Sequence, residues 1–205
     1  MFRNVLIYVL LFCLTSNAQG QSALSSFFKL PCPEKWWVIK HPFIAKNVYK
    51  LSLEAVQVTR SLLADSTLDG DMAGGQLDAF RHTYWMAIVS QKYGKKKAFS
   101  LGKAHEKGNY LQFKKGLFED GVLPDYESSL MDFLNNDVGI EIGSLYKNAS
   151  KEEIKKIVIE KIHEGKLYIL KKDSAGNYLN CQNEKLLLNQ KKWITNKCII
   201  PSNTK

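Results

Sequence analysis

The sequence predicts a mainly α fold, a compact bundle of about five helices with a small β-hairpin appended at the C-terminus. Three observations carry this. Apolar residues recur at helical spacing through residues 49–164. Glycines and capping residues punctuate those stretches, and strand-like alternation appears only after Gly165. Composition agrees: 45% of the 205 residues are hydrophobic and 24% charged, too apolar for a disordered chain, while 13 Gly and 5 Pro exclude fibrous and low-complexity architectures. That length favours one domain with decorations over two.

Residues 1–18, MFRNVLIYVLLFCLTSNA, place Arg3 before an apolar run from Val5 to Leu14 and end on Ser16 and Ala18. This pattern predicts a signal peptide cleaved near Ala18 and a soluble product exported to the periplasm or the medium. The run is too short for a spanning helix of about 20 residues. Phe12 stands before Cys13 where a lipoprotein would have a small residue. Residues 19–48 read as irregular chain in which Trp36 and Trp37 tie the N-terminus to the body.

Val48–Leu63 reads as a helix, and Asp65–Gly75 as a polar, glycine-rich break. Gln76–Tyr93 is the central helix, apolar on nearly every side. Lys95–Gly108 gives a shorter helix, followed by a long connection over 109–126 of the kind that forms lids and binding loops. A further helix runs from about Glu127 to Tyr146. Ser150 and Glu153 form a capping box for a last one, to about His163. Leu167 and Ile169, then Tyr178 and Leu179, flank Lys172–Asn177 as a hairpin, with a further short strand toward Ile200.

Cys32, Cys181 and Cys198 remain after cleavage, an odd number for an oxidising compartment. Pairing Cys181 with Cys198 would close a short C-terminal loop, worth roughly 3 kcal/mol. Pairings through Cys32 leave a different thiol over. There is no CxxC or Cys/His zinc spacing.

The net charge of +9 falls to +8 when Arg3 is removed, and the remaining cations are lysines apart from Arg60 and Arg81. Without arginine's bidentate chemistry, nucleic acid is a disfavoured partner. Dispersed lysine serves solubility. Its clusters at Lys95–Lys97, Lys114–Lys115 and Lys191–Lys192 suit an anionic substrate or membrane surface.

Polar residues at helical spacing mark a candidate site. Asp78 and His82 stand four apart on the central helix, on one face with Trp85 and Val89, and groups so placed need a partner. His105 falls on the same face as Ala98, Leu101 and Gly102, with Glu106 beside it. Asp132, Asn136, Gly139 and Gly143 form one stripe on the later helix, where two glycines admit another backbone. Docking that stripe on the central helix brings Asp132 and Asn136 to Asp78 and His82. Imidazoles and carboxylates from facing helices are how bundles hold metals, so His82, His105, Asp78 and Asp132 are candidate ligands for a divalent ion such as zinc. The spacing matches no established ligand motif. A metal-free version uses His82 or His105 as general base, oriented by Asp78 or Asp132, with Asn136 as electrophilic donor. The bland alternative is a buried hydrogen-bond network closed at its edge by Arg81 and Glu106. His41 and His163 read as surface or helix-end histidines. Asp69-Gly70-Asp71 lacks the acid that would complete a calcium loop.

The stretches GGQLDAFRHTYWMA (74–87), AHEKGN (104–109) and MDFLNNDVG (131–139) resemble a bacterial domain family of uncharacterised activity showing DAFRHxxW, HE and MDxxNNxxG in that order. Its members occur in exported proteins and at the ends of toxin-like chains. The resemblance covers about residues 70–145 and implies a motif set of Asp78, Arg81, His82, His105, Glu106, Asp132, Asn135 and Asn136.

The functional expectation is an exported hydrolase, metal-dependent, acting on an anionic phosphoester or lipid. His82, His105, Asp78, Glu106, Asp132 and Asn136 would be catalytic, and Arg81 and Asn135 substrate-binding. The alternative is a non-enzymatic envelope binding or interaction domain whose polar cluster serves stability.

Overall fold

A helix buried on nearly all sides organises the molecule. In the computed structural model, which describes residues 25–64, 66–118, 122–189 and 191–204, the elements are α1 (Cys32–Lys40), α2 (Pro42–Ser61) with a 3-10 turn at Leu62–Ala64, α3 (Gln76–Tyr93), α4 (Lys95–Lys114), α5 (Tyr126–Leu145), α6 (Lys151–His163), β1 (Tyr168–Leu170) and β2 (Ile199–Pro201). The fold is mainly α with a small two-stranded antiparallel sheet near the C-terminus. Of the 18 residues of α3, 12 are buried, which makes it the axis around which α2, α4, α5 and α6 pack. Leu77, Phe80, Tyr84, Met86 and Val89 supply its core, joined by Val48 and Leu51 of α2 and by Ile154, Val158 and Ile162 of α6.

The most extensive helix contact is that of α3 with α5. A Cβ on Gly139 would lie 2.2 Å from the Thr83 carbonyl oxygen, and one on Gly143 would lie 2.1 Å from that of Ala87. Only glycine fits there. The contact is then locked by hydroxyls, Thr83 Oγ1 donating to the Asn135 carbonyl at 3.1 Å and Ser90 Oγ to that of Ile140 at 2.9 Å. The capping boxes at Asp125/Ser128 and Ser150/Glu153 fix where α5 and α6 begin.

Three sequence expectations need correcting. Residues 19–48 are not irregular throughout: α1 occupies 32–40 and α2 starts at Pro42. Pro33 presets the helical φ of the first turn, and Glu34 there faces the positive end of the helix dipole. The tryptophans do not act alike: Trp37 is buried, donating from Nε1 to Ser100 Oγ at 2.8 Å, whereas Trp36 is exposed. Second, α4 does not stop at Gly108 but runs to Lys114, shortening the connection expected over 109–126. Gly108 lies inside the helix because Pro31 packs where a side chain would stand, with Cγ 3.0 Å from its virtual Cβ.

Third, the strand at Leu167–Ile169 does not pair with Tyr178 and Leu179. β1 pairs antiparallel with β2, Ile169 opposite Ile200. The turn at Asp173–Asn177 exists, held by Asp173 accepting from the Asn177 backbone and side chain, but only an isolated bridge, Lys172 to Tyr178, spans it. The signal-peptide reading lies outside the described residues. Among the described residues no helix is long and apolar enough to cross a membrane.

Cys181 and Cys198 are joined, 17 residues apart, and Cys32 is an exposed free thiol. Breaking the bond by Cys181→Ser is expected to cost ~3 kcal/mol through regained loop entropy. A urea midpoint would show the loss, with far-UV circular dichroism retained because the helical core lies elsewhere.

Candidate functional site

The candidate residues sit on α3, α4 and α5 where these helices meet, and each is placed by local chemistry. Before α3, Asp69 gathers the backbone N–H groups of Asp71, Gln76 and Leu77, closing the glycine-rich loop into a turn. Gly74, at φ +97°, then donates its N–H to Asp78 Oδ2 at 2.8 Å. Arg81 Nη2 donates to Asp78 Oδ1 at 2.7 Å from one turn further on. Asp78 is thus fixed by a backbone amide and a guanidinium.

His82 is 1% exposed, its Nε2 3.3 Å from Asp132 Oδ1 and 3.6 Å from Asp78 Oδ1. Neither ring nitrogen has a hydrogen-bond partner of good geometry, although a buried polar group normally has one. Burial first, then the positive Arg81 and the His105 ring, hold its pKa well below 6.5, offset in part by the Asn136 side chain. The ring's loss of water decides. A neutral imidazole between two carboxylates is the form that coordinates a cation.

From α4, His105 Nδ1 donates to Glu34 Oε1 of α1 at 2.7 Å, while its other nitrogen, Nε2, is also buried. A carboxylate on one nitrogen is the usual device that fixes the tautomer and orientation of a metal-ligating histidine. The His82 and His105 rings lie 5.9 Å apart. Glu106 accepts from Asn136 Nδ2 at 3.3 Å and from Asn109 Nδ2 at 3.2 Å. Among the described residues two triads bring one donor atom each within 4.8 Å of one another: Asp78, His82 and Asp132, and His82, His105 and Glu106. His82 belongs to both.

Of the residues expected at the site, Asp78, Arg81, His82, His105, Glu106, Asp132 and Asn136 therefore converge. Asn135 does not join them. Fully buried, its side chain accepts from the Tyr168 backbone N–H and donates to the Tyr168 carbonyl, both at 2.9 Å, and so fastens β1 to α5.

Two openings flank the cluster. A narrow cleft of about 40 Å³ reaches Asp78, Arg81 and Asp132, with Asn109, Tyr178 and Lys197 also in its walls. That is room for an ion with a few waters. On the other side a shallow groove of about 500 Å³ runs between α4 and α5, walled by Tyr110, Tyr126, Phe133 and Trp193, with Glu106 in its lining. Ser129 Oγ, buried and without a hydrogen bond, lines the same groove.

Residues 35–166 match the family described as Domain of unknown function (DUF6973). The chain belongs to the DUF6973 family. No curated protein and no solved structure matches the chain. The DUF6973 match contains every residue of both triads but leaves out three with a part in the site: Glu34, which holds His105, and Tyr178 and Lys197, which close the cleft.

Glu34, Asn109, Tyr178 and Lys197 are the site residues that sequence reasoning missed. Glu34 left a trace, since Pro33-Glu34 is a helix-start signature. Lys197, from the far end of the DUF6973 chain, left none. It is buried in a salt bridge to Asp125, with its ammonium 3.9 Å from the Tyr178 ring centroid.

The depressed pKa of His82 has a measurable sign. As pH falls, an unfolded histidine takes up its proton near 6.5, before the buried ring does. The stability that neutral His82 contributes is therefore full above that pH and is lost progressively below it. With chelator present, urea midpoints of this DUF6973 protein are expected to fall as pH drops below 6.5 and to fall less in His82→Asn.

Proposed function

We propose that this protein is an exported, metal-dependent hydrolase acting on an anionic phosphoester or lipid. The observation that carries the reading is His82: a wholly buried imidazole, lacking a well-formed hydrogen bond at either nitrogen, lies at the junction of two donor triads drawn from three helices. Asp78, His82 and Asp132 would hold a divalent ion such as zinc, with His105 and Glu106 offering the second set. An ion held there supplies Lewis acidity and brings the pKa of water to about 7.

The protein's own residues have separable tasks. Glu34 orients His105, and Arg81 holds Asp78 by a hydrogen bond while presenting its guanidinium to the cleft. Glu106, next to the His pair and in contact with the groove, is placed to take the proton of an attacking water. Arg81 in the cleft wall supports an anionic group there, and the aromatic groove supports an apolar remainder. Net hydrolysis adds water across the ester, leaving an acid and an alcohol.

A non-enzymatic interaction domain with a structural polar network is the second reading. Asn135 favours it, because a motif residue there serves only backbone pairing.

Elemental analysis of protein purified without chelator decides between them. Near-stoichiometric metal is expected, and restoring an ion to stripped protein at about 100 times its Kd should stabilise the fold by ~2.7 kcal/mol. Turnover of aryl phosphoesters or phospholipid micelles should vanish in Asp132→Asn. Metal-free protein whose melting is indifferent to added zinc, manganese or magnesium would leave the structural reading standing.

A further inference from the structure

The N-terminal corner of the molecule has two faces. Between residues 25 and 53 there are five lysines, Lys29, Lys35, Lys40, Lys46 and Lys50, and a single carboxylate, Glu34. That carboxylate is turned inward to His105, and the next along the chain, Glu54, is paired with Lys151, so the corner carries an excess of lysine. Several of its apolar residues are outward as well. On α1, Cys32, Trp36 and Ile39 share one helical face at i, i+4 and i+7, opposite the buried Trp37. Trp36 is 57% and Ile39 54% exposed. Across the bend at His41–Pro42, Phe43 is 97% exposed at the start of α2, and Phe28 lies open before α1.

Scattered exposed hydrophobics need no explanation, but Trp36, Ile39 and Phe43, three large ones exposed within eight positions and interspersed with lysines, do. Tryptophan and phenylalanine set among lysines are the anchors of interfacial elements. The rings enter the headgroup boundary while the ammonium groups reach back to lipid phosphates. A symmetric dimer through this face would instead bring lysine against lysine.

We propose that the α1–α2 corner is a membrane-docking surface for anionic lipid, with Trp36, Ile39 and Phe43 as the inserted wedge and Lys40, Lys46 and Lys50 as the electrostatic contact. This does not rest on the hydrolase reading. The same α1 whose inward face holds His105 through Glu34 would hold the molecule on the bilayer through its outward face.

The test uses protein recovered from its host, its N-terminus read by mass spectrometry. It is partitioned onto phosphatidylglycerol/phosphatidylcholine vesicles and onto phosphatidylcholine alone. Binding to the anionic vesicles only is expected, weakening as salt rises from about 0.1 M to about 1 M and the screening length falls from ~10 to ~3 Å. Trp36→Ser with Phe43→Ser should weaken partitioning at least tenfold without moving the melting temperature, because neither side chain is buried. Lys40→Glu and Lys46→Glu should each weaken it by roughly fivefold or more. Equal binding to both vesicle types, or binding that the Trp36/Phe43 variant leaves unchanged, overturns the proposal. So does variant-sensitive self-association without vesicle binding, which would assign the face to a second copy. Loss of binding accompanied by a lowered melting temperature overturns it too, since the residues would then be structural.

Discussion

Replacing His82 with alanine is expected to abolish metal retention while leaving the helices in place. Both triads lose their common member, so three-donor coordination survives in neither. Glu34→Gln should do less, weakening metal affinity or turnover by ~10–100-fold, as expected for a group that orients a ligand without being one. The graded pair separates chemistry from scaffolding. A purely structural network predicts instead that both variants lower stability and that neither changes metal content. Metal per chain and urea midpoints on the same preparations read both quantities. Removing His82 takes away a ring that lacks well-formed hydrogen bonds, so the stability loss should stay within the range of an ordinary core truncation, about 2–4 kcal/mol.

Gly143→Ala is expected to be the more destructive single change to the fold, although it adds one methyl group. The new Cβ would stand 2.1 Å from the Ala87 carbonyl oxygen and 2.8 Å from the Gln91 backbone nitrogen, and neither atom can swing aside as a side-chain tip would. α5 must move off α3, breaking the Ser90 bond to the Ile140 carbonyl. Overpacking costs typically 1–3 kcal/mol where side chains can adjust, and a backbone clash belongs above that range. Gly139→Ala makes the same clash with Thr83, closer to the site, and should separate Asp132 and Asn136 from His82. Its signature is metal loss alongside instability. Gly102→Ala is a useful contrast: its nearest neighbour is the Asn136 side-chain amide at 3.3 Å, which can yield.

The α3–α5 junction was legible in the sequence because it depends on spacing within single helices. Asp78 and His82 four apart, and Asp132, Asn136, Gly139 and Gly143 on one stripe, state which faces meet, and the glycines state how closely. Gly108 shows the limit of that reasoning. A glycine after a helical run reads as a stop, yet here it makes room for Pro31, a contact that the α4 sequence does not encode. β1 shows the same limit. The turn at Asp173–Asn177 is a strong local signal, but the partner of Ile169 is Ile200, chosen by tertiary packing and the disulfide rather than by the nearest turn. Glu34 and Lys197 reach their partners across 71 and 72 positions, and no periodicity reports such distances.

The wall that Lys197 gives to the cleft sets the order in which a growing chain can complete it. Thr195 and Asn196 grip Glu127 with their backbone amides, and Lys197 neutralises Asp125 at the head of α5. Nascent polypeptide that has emerged only as far as α6 already contains both donor triads, yet it carries a buried aspartate awaiting its counter-charge and a cavity open along one flank. Assembly of this pocket is thus a late event in biogenesis, finished by a segment that arrives after every triad residue has been made.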